Sequence, residues 1–400
     1  MKRLSFVFLL LTLLAFGCSG SRLELDSYVS GQDSQYMYFD TEDGSVTETK
    51  DSYYFLSGPD RCFLYLYDKT TKLALPVCNK PDCLHTDEPD NTKIAKCNAF
   101  LGIWVSHLKL YQNNLYYIIY EESENNAFLS LYQISLDGTK RRRVHVFKEF
   151  FSSIQIHRGY IYYSTTDSGT ISGQEATTKT TYKLCRLALD KSNAEPEVIE
   201  QGTGIYGVID NLFAYGNNIY YTIYYKNDDT LSTYTSYVNR YDILTNTASR
   251  FLASDSSHYT VLNGQFVYMI YKQGTYTCDM DGKNPKKICD GYGLYTSNDN
   301  FLFIDNWYSA ALGLEDRKLT IINRELNMVK TVPMTGLKKM PLGCSGEYYF
   351  LPSVGVPGNE HGEKTAISCV PVGKLTDDMR PAIFYEFVPK VAFNGIVTGR

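Results

Sequence analysis

The sequence predicts an all-β protein with a β-propeller fold built from four-stranded antiparallel blades. Two kinds of short strand recur along nearly the whole chain. Their spacing, very roughly 35 to 60 residues, is the period of propeller blades. No stretch shows the apolar spacing of a long helix. These observations together indicate a propeller.

The first kind of strand is aromatic and follows a polar turn. Its seven copies are Asp51–Leu56, Asn113–Ile118, Arg158–Tyr163, Gly216–Tyr221, Asn263–Tyr268, Asp299–Phe303 and Gly346–Phe350. Tyrosine makes up 35 of the 400 residues, and its ring can pack between stacked sheets while its hydroxyl stays at the wet edge. We therefore expect most tyrosines to lie between blades. The alternative is an aromatic surface that binds a sugar or a peptide.

The second kind of strand alternates apolar and polar residues. Its copies are Phe63–Asp68, Leu131–Asp137, Leu184–Asp190, Val238–Ile243, Thr275–Asp281, Leu319–Asn323 and Ile367–Val372. The best copies are followed by an Asp-Gly dipeptide, at Gly138 and Gly282. This dipeptide predicts a tight turn because it tolerates positive φ. With an exit strand and a connecting strand, each unit has four strands. We predict a propeller over residues 46–395 with seven blades, or six if a terminal unit is incomplete. Glycine-rich Gly202–Gly207 predicts a turn between blades.

In two places, around Leu136–Lys140 and Met280–Asn284, a strand is followed by an Asp-Gly turn and an exit strand. This arrangement resembles the repeats of TolB-like and YWTD-type propellers. The Tyr-Tyr blades are similar to those of Tyr-rich propeller lipoproteins of anaerobic Gram-positive bacteria. This resemblance covers nearly the whole mature chain and implies the propeller fold. It implies no single function, because such propellers serve as scaffolds, as receptors and in some cases as enzymes.

The first residues are typical of an export signal. Lys2 and Arg3 precede an apolar run over residues 4–16, which is shorter than the about 20 residues that a membrane-spanning helix needs. Residues 15–18, Ala-Phe-Gly-Cys, resemble the bacterial lipobox. That resemblance implies cleavage before Cys18 and a lipid on its sulfur; a plain secretory signal is the alternative.

We therefore predict a lipoprotein signal peptide over residues 1–17 and a lipid-anchored polar tether over 18–45. The expected location is the outer face of the bacterial cytoplasmic membrane. The mature body is acidic, because loss of Lys2 and Arg3 takes the formal net charge from −5 to −7. Nucleic acid is therefore a poor partner, and the basic run Arg141–Arg143 is read as a solvated strand edge.

Nine cysteines remain once Cys18 is assigned to lipid, and an odd number cannot all pair within one chain. Cys185, Cys278 and Cys369 fall in the second strand of the third, fifth and seventh units. We expect these three to be buried as small apolar residues, since non-adjacent blades hold them too far apart for a disulfide.

The other notable cysteines lie in an insertion over residues 77–100, where the strand alternation stops. Cys78, Cys83, His85 and Cys97 offer three thiolates and an imidazole, a complete tetrahedral set for one structural zinc ion. A closed set of four predicts a structural site, because a catalytic zinc keeps one position for water. The alternative is a disulfide between Cys97 and either Cys78 or Cys83.

The sequence favours a binding or scaffold module for a protein or a glycan, without catalysis and with no cofactor besides the zinc. Its regular features serve packing, and we find no local catalytic motif. The alternative function is an enzyme, a glycan or peptide lyase or hydrolase, whose acids and histidines meet at the central channel of the propeller.

Overall fold

The computed structural model describes residues 45–57, 62–83, 91–123, 126–149, 151–167, 179–190, 194–226, 235–252, 256, 258–334, 340–352, 365–374 and 382–387. The predicted signal peptide, Cys18, most of the tether and His85 lie outside these residues. The described chain is almost entirely β, with two single-turn helices and one short 3-10 turn. None of its helices is long and apolar enough to cross a membrane.

Six antiparallel sheets follow one another along the described chain. The first contains β1 (Val46–Glu48), β2 (Ser52–Ser57), β3 (Cys62–Asp68), β4 (Ala74–Pro76) and β5 (Phe100–Gly102), with helix α1 (Asn91–Ile94) before β5. The second contains β6 (Val105–Tyr111), β7 (Asn114–Ser123), β8 (Asn126–Ser135) and β9 (Arg141–Phe147). The third contains β10 (Phe151–His157), β11 (Tyr160–Asp167), β12 (Lys179–Ala188), β13 (Glu197–Tyr215), β14 (Asn218–Lys226), β15 (Thr235–Asp242) and β16 (Thr247–Leu252).

Three four-stranded sheets complete the described chain. The fourth contains β17 (Tyr259–Leu262), β18 (Gln265–Ile270), β19 (Gly274–Cys278) and β20 (Lys286–Cys289). The fifth contains β21 (Leu294–Ser297), β22 (Phe301–Asp305), β23 (Lys318–Asn323) and β24 (Met328–Pro333), with helix α2 (Trp307–Ala311) after β22. The sixth contains β25 (Gly343–Cys344), β26 (Tyr348–Pro352), β27 (Thr365–Pro371) and β28 (Ala382–Phe387), with the 3-10 turn Val372–Lys374 after β27.

Both recurring strands of the sequence pattern are confirmed. The seven aromatic segments are β2, β7, β11, β14, β18, β22 and β26, and the seven alternating segments are β3, β8, β12, β15, β19, β23 and β27. In every case the alternating strand pairs directly with the aromatic one. The regular period of two in the sequence was sufficient to locate these strands because side chains on a strand alternate between faces.

The predicted turn at Gly202–Gly207 is wrong, because these residues lie inside the 19-residue strand β13. The glycines are needed for packing against Tyr182. A Cβ atom at Gly202 would lie 2.3 Å from the Tyr182 hydroxyl, and one at Gly207 would lie 2.7 Å from the Tyr182 ring. The seven-stranded third sheet thus contains two four-stranded units that share β13. The blade count, seven or six, stays a prediction.

The four-stranded units pack side by side in a closed ring. The buried apolar residues of the described chain form clusters between each unit and the next. A further cluster joins the last sheet to the first, where the Tyr53 ring lies 5.3 Å from the Phe350 ring and its hydroxyl lies 3.0 Å from Ser345 Oγ. The first strands of successive units also contact one another, so they surround the centre of the ring.

A buried ion pair of the fifth sheet is hydrogen-bonded to the sixth sheet. Arg317 donates from Nη2 to Asp305 Oδ2 at 2.6 Å and from Nε to Asp305 Oδ1 at 3.0 Å. The Tyr349 hydroxyl, on the neighbouring sheet, donates to the same carboxylate at 2.9 Å. Both charged side chains are almost fully buried, so the stability of each depends on the other.

We predict that Asp305→Ala lowers the free energy of unfolding by about 3–5 kcal/mol, because it leaves the Arg317 charge buried without its partner. Urea titration followed by tyrosine fluorescence measures the change. The matched control is Asp281→Ala, which removes the partner of Lys283 in an exposed ion pair and should leave the urea midpoint unchanged. Equal shifts for the two variants would contradict the prediction.

Candidate metal centre

The structure brings together three of the four predicted metal ligands. The Sγ atoms of Cys78, Cys83 and Cys97 all lie within 4.8 Å of one another. With a zinc–sulfur distance of about 2.3 Å, a tetrahedral site separates sulfurs by about 3.8 Å, so only a small contraction of this cluster is needed. Cys97 is buried, while Cys78 and Cys83 are half-buried.

The insertion folds as a short excursion that returns to its own sheet. The chain leaves after β4 and returns as β5, which pairs with the start of β3. Each of the two described segments of the insertion, residues 77–83 and 91–100, places a cysteine at a tight turn; these segments are called its arms. The Cys83 N–H donates to the Lys80 carbonyl at 3.2 Å, and the Cys97 N–H donates to the Ile94 carbonyl at 2.9 Å.

Backbone N–H groups point at two of the three sulfurs. The N–H groups of Lys80 and Asn98 donate to Cys78, and together with the neighbouring thiols they outweigh burial and lower the pKa of Cys78. Burial dominates at Cys97 and raises its pKa to about 12, although backbone N–H groups also donate to this sulfur. Such donors favour sulfur that carries negative charge, which is the form that binds a metal.

Side chains hold the two arms of the insertion together. Asn98 Nδ2 donates to Asn79 Oδ1 at 2.9 Å, and Lys80 Nζ donates to the Lys96 carbonyl. Arg141 of β9 donates to the carbonyls of Asn98 and Phe100 at 2.8 and 2.7 Å. Arg141, Arg142 and Arg143 are all exposed on the edge strand β9, as predicted, and Arg141 in addition supports the insertion. No local pattern could have identified this role, because the Arg141 contacts cross about forty residues of sequence.

The insertion lies at the closure of the ring. Ile94 and Cys97 belong to the buried cluster that contains Tyr53 of the first sheet and Phe350 of the last. On its other side the Asp-Gly turn of the second sheet packs against the residue before Cys78, so that a Cβ atom at Gly138 would lie 2.5 Å from the Val77 carbonyl. A metal bound here would fasten the insertion where three sheets meet.

The remaining cysteine predictions have mixed outcomes. Cys185, Cys278 and Cys369 are buried with free thiols, as expected. None of the cysteines in the described ranges forms a disulfide. His85 lies outside those ranges, so its role as the fourth ligand stays a prediction, as does the choice between zinc and a disulfide.

Comparison with known proteins agrees with the architecture. No family model and no curated protein matches this sequence. Among solved structures, the tricorn protease is similar over 89% of this chain and 36% of its own, with 11% identity and a TM-score of 0.50. The chain is a β-propeller. At this identity the likeness shows the fold alone, and the propeller spans about a third of that protease.

Two further solved structures are propellers with lower similarity. The propeller domain of the Trilobed protease from Pyrococcus furiosus matches 85% of this chain and 97% of its own, with 10% identity and a TM-score of 0.49. TolB from Acinetobacter baumannii matches 84% of this chain and 77% of its own, with 14% identity and a TM-score of 0.41.

We predict that the protein, purified without chelator and without a histidine tag, contains one zinc ion per chain by elemental analysis. Cys83→Ser and Cys97→Ser should each abolish the zinc, because three ligands close the site poorly. Cys289→Ser is the control, since Cys289 is a half-buried thiol on a distant sheet. Absence of metal together with two fewer titratable thiols would show a disulfide instead.

A second prediction concerns the approach of the Asp-Gly turn to the insertion. Gly138 and Gly264 have similar positive φ values of 73° and 71°, and alanine in this conformation costs about 1–2 kcal/mol at either position. Only at Gly138 would the added Cβ atom also clash, with the Val77 carbonyl, because no atom lies within 4 Å of a Cβ atom at Gly264. Gly138→Ala should therefore be the more destabilising change and should speed zinc loss to a chelator; equal effects would contradict the packing.

Proposed function

We propose that this protein is an exported lipoprotein, held to the outer face of the bacterial cytoplasmic membrane through Cys18, whose propeller binds a protein or a glycan without catalysis. The charged and apolar leader and the lipobox-like residues before Cys18 support the anchor. The cysteine cluster supports one structural zinc. A propeller suits the binding function because it offers a rigid surface for recognition.

The observation that carries this proposal is that the buried histidines His157 and His258 and the tyrosines between the units are committed to packing. His157 Nε2 lies 2.7 Å from the Gly216 carbonyl. Burial lowers the pKa of His258 to about 4, which keeps this ring neutral. Burial raises the pKa of the interfacial tyrosines, Tyr349 included. A general acid or base works best with a pKa near the working pH, and neither His258 nor these tyrosines meet that condition.

A second candidate function, catalysis at the central channel, has one observation in its favour. The inner strands β6, β10 and β13 each contain a bulge. His107 and Asn211 adopt left-handed conformations at two of them, with φ values of 58° and 54°. Burial raises the pKa of Asp210 next to Asn211. Bulges and such conformations are enriched at functional sites.

One experiment separates the two functions. The full chain in detergent is incubated for hours with panels of polysaccharides and peptides, and mass spectrometry detects cleavage while calorimetry detects binding. A binding module should bind a panel member and leave it intact. Cleavage that is lost in both Asp210→Asn and His107→Ala would establish the enzyme and overturn the proposal.

The lipid anchor makes its own prediction. Expressed in a Gram-positive host, the natural chain should fractionate with membranes and carry a diacylglyceryl mass increment on its N-terminal peptide. Cys18→Ala should remove that increment and shift the protein away from the anchored membrane fraction, because the variant has no sulfur to carry the diacylglyceryl group. If the natural chain is released into the medium with a free Cys18 thiol, the anchor is wrong.

A further inference from the structure

A cleft of about 730 Å³ lies between the second and third sheets, and none of the three clustered cysteines lines it. This volume is in the range of ligand-binding sites. The buried cluster between these two sheets contributes Phe147, Tyr163 and Cys185 to its lining. Charged side chains also line it, among them Lys148 and Glu195.

One wall of the cleft is the edge of a strand. All residues from Arg143 to Glu149 line it. Side chains on a strand alternate between faces, so a wall formed by consecutive residues runs along the main chain and not along one face. In the described chain β9 pairs only with β8, and its other edge therefore borders the cleft. The main-chain groups of an edge strand are a template for an added strand.

The opposite wall is the face of the third sheet. It is formed by alternate residues of two paired strands, Tyr163 and Thr165 of β11 with Lys183 and Cys185 of β12. Glu149 bridges the walls: its carboxylate accepts from Lys183 Nζ at 2.8 Å and from Thr165 Oγ1 at 2.7 Å. The two walls are thus held at a fixed separation.

The rim carries charges of both signs. Lys148 and Glu195 are exposed on opposite sides of the cleft, and neither forms an ion pair with another described residue. Phe147 and Tyr163 are almost fully buried, with 3% and 4% of each residue exposed. They therefore offer no face on which a sugar ring could stack.

We infer that this cleft binds an extended peptide that adds to the open edge of β9 and carries an acidic residue toward Lys148 and a basic residue toward Glu195. The inference rests on the proposed binding function and narrows its ligand from a protein or a glycan to a peptide segment. Main-chain hydrogen bonds along β9 would supply affinity. The two rim charges would supply specificity.

The test is selection of a random heptapeptide display library on the full chain in detergent, followed by calorimetry with the selected peptides. We expect them to share one acidic and one basic position. Ala194→Trp, which fills the cleft without changing charge, should weaken binding by about tenfold or more. Lys148→Glu and Glu195→Lys should each select peptides with the opposite charge at one position. Lys283→Glu on the distant fourth sheet is the control and should change neither result.

The outcomes separate this inference from the proposed function. If the selected peptides bind Ala194→Trp and the natural chain equally well, the cleft is not the binding site. The proposed binding function would then still stand. If no peptide is selected, and if oligosaccharides bind more weakly to Ala194→Trp than to the natural chain, the ligand of the cleft is a glycan and the peptide inference is wrong. Failure to bind any member of either panel would count against both proposals.

Discussion

The ring depends on pairs of consecutive aromatic residues, which occur in five of its seven aromatic strands: β2, β7, β11, β14 and β26. Neighbouring side chains on a strand point to opposite faces, so a Tyr-Tyr pair packs against both adjacent units at once. Tyr53 packs at the closure of the ring, whereas Tyr54 packs against the second sheet. Tyr162 and Tyr163 divide in the same way between the units on either side of them. Each such pair joins two interfaces. In β18 an aromatic residue and an aliphatic neighbour, Phe266 and Val267, divide between two interfaces in the same way.

Burial of so many tyrosines requires partners for their hydroxyl groups. Several hydroxyls bond across an interface, as between Tyr295 and Thr275 Oγ1 at 2.6 Å. The hydroxyls of Tyr162 and Tyr220 have no hydrogen bond within the described residues. Each lies opposite an arginine of the adjacent strand, Arg186 and Arg240, and the positive charge of that arginine offsets part of the rise in pKa that burial causes. The packing therefore determines the chemistry of these groups.

The cysteine insertion shows which parts of a site a local sequence pattern can predict. The pattern of Cys78, Cys83 and Cys97 predicted that their sulfurs meet, and they do. Cys78 and Cys83 are close in sequence, whereas Cys97 is brought back when the chain returns to its own sheet as β5. The spacing could not predict which residues of the second sheet contact the insertion. Arg141 and Gly138 both belong to the second sheet. The hydrogen bonds of Arg141 to the insertion and the packing of Gly138 against Val77 form only when the sheets pack together. The same limit applies to the cleft beside β9.

The sequence by itself determined the fold class, the recurring strands, the insertion and the burial of Cys185, Cys278 and Cys369, since each depends on a period of two or on short spacing along the chain. Only the tertiary structure decided that Gly202–Gly207 continues a strand, because the packing of Tyr182 is what requires glycine there. It also decided which strand edge faces a cleft and which arginine supports the cysteines. Those features depend on contacts between residues far apart in the chain, and no local pattern contains such contacts.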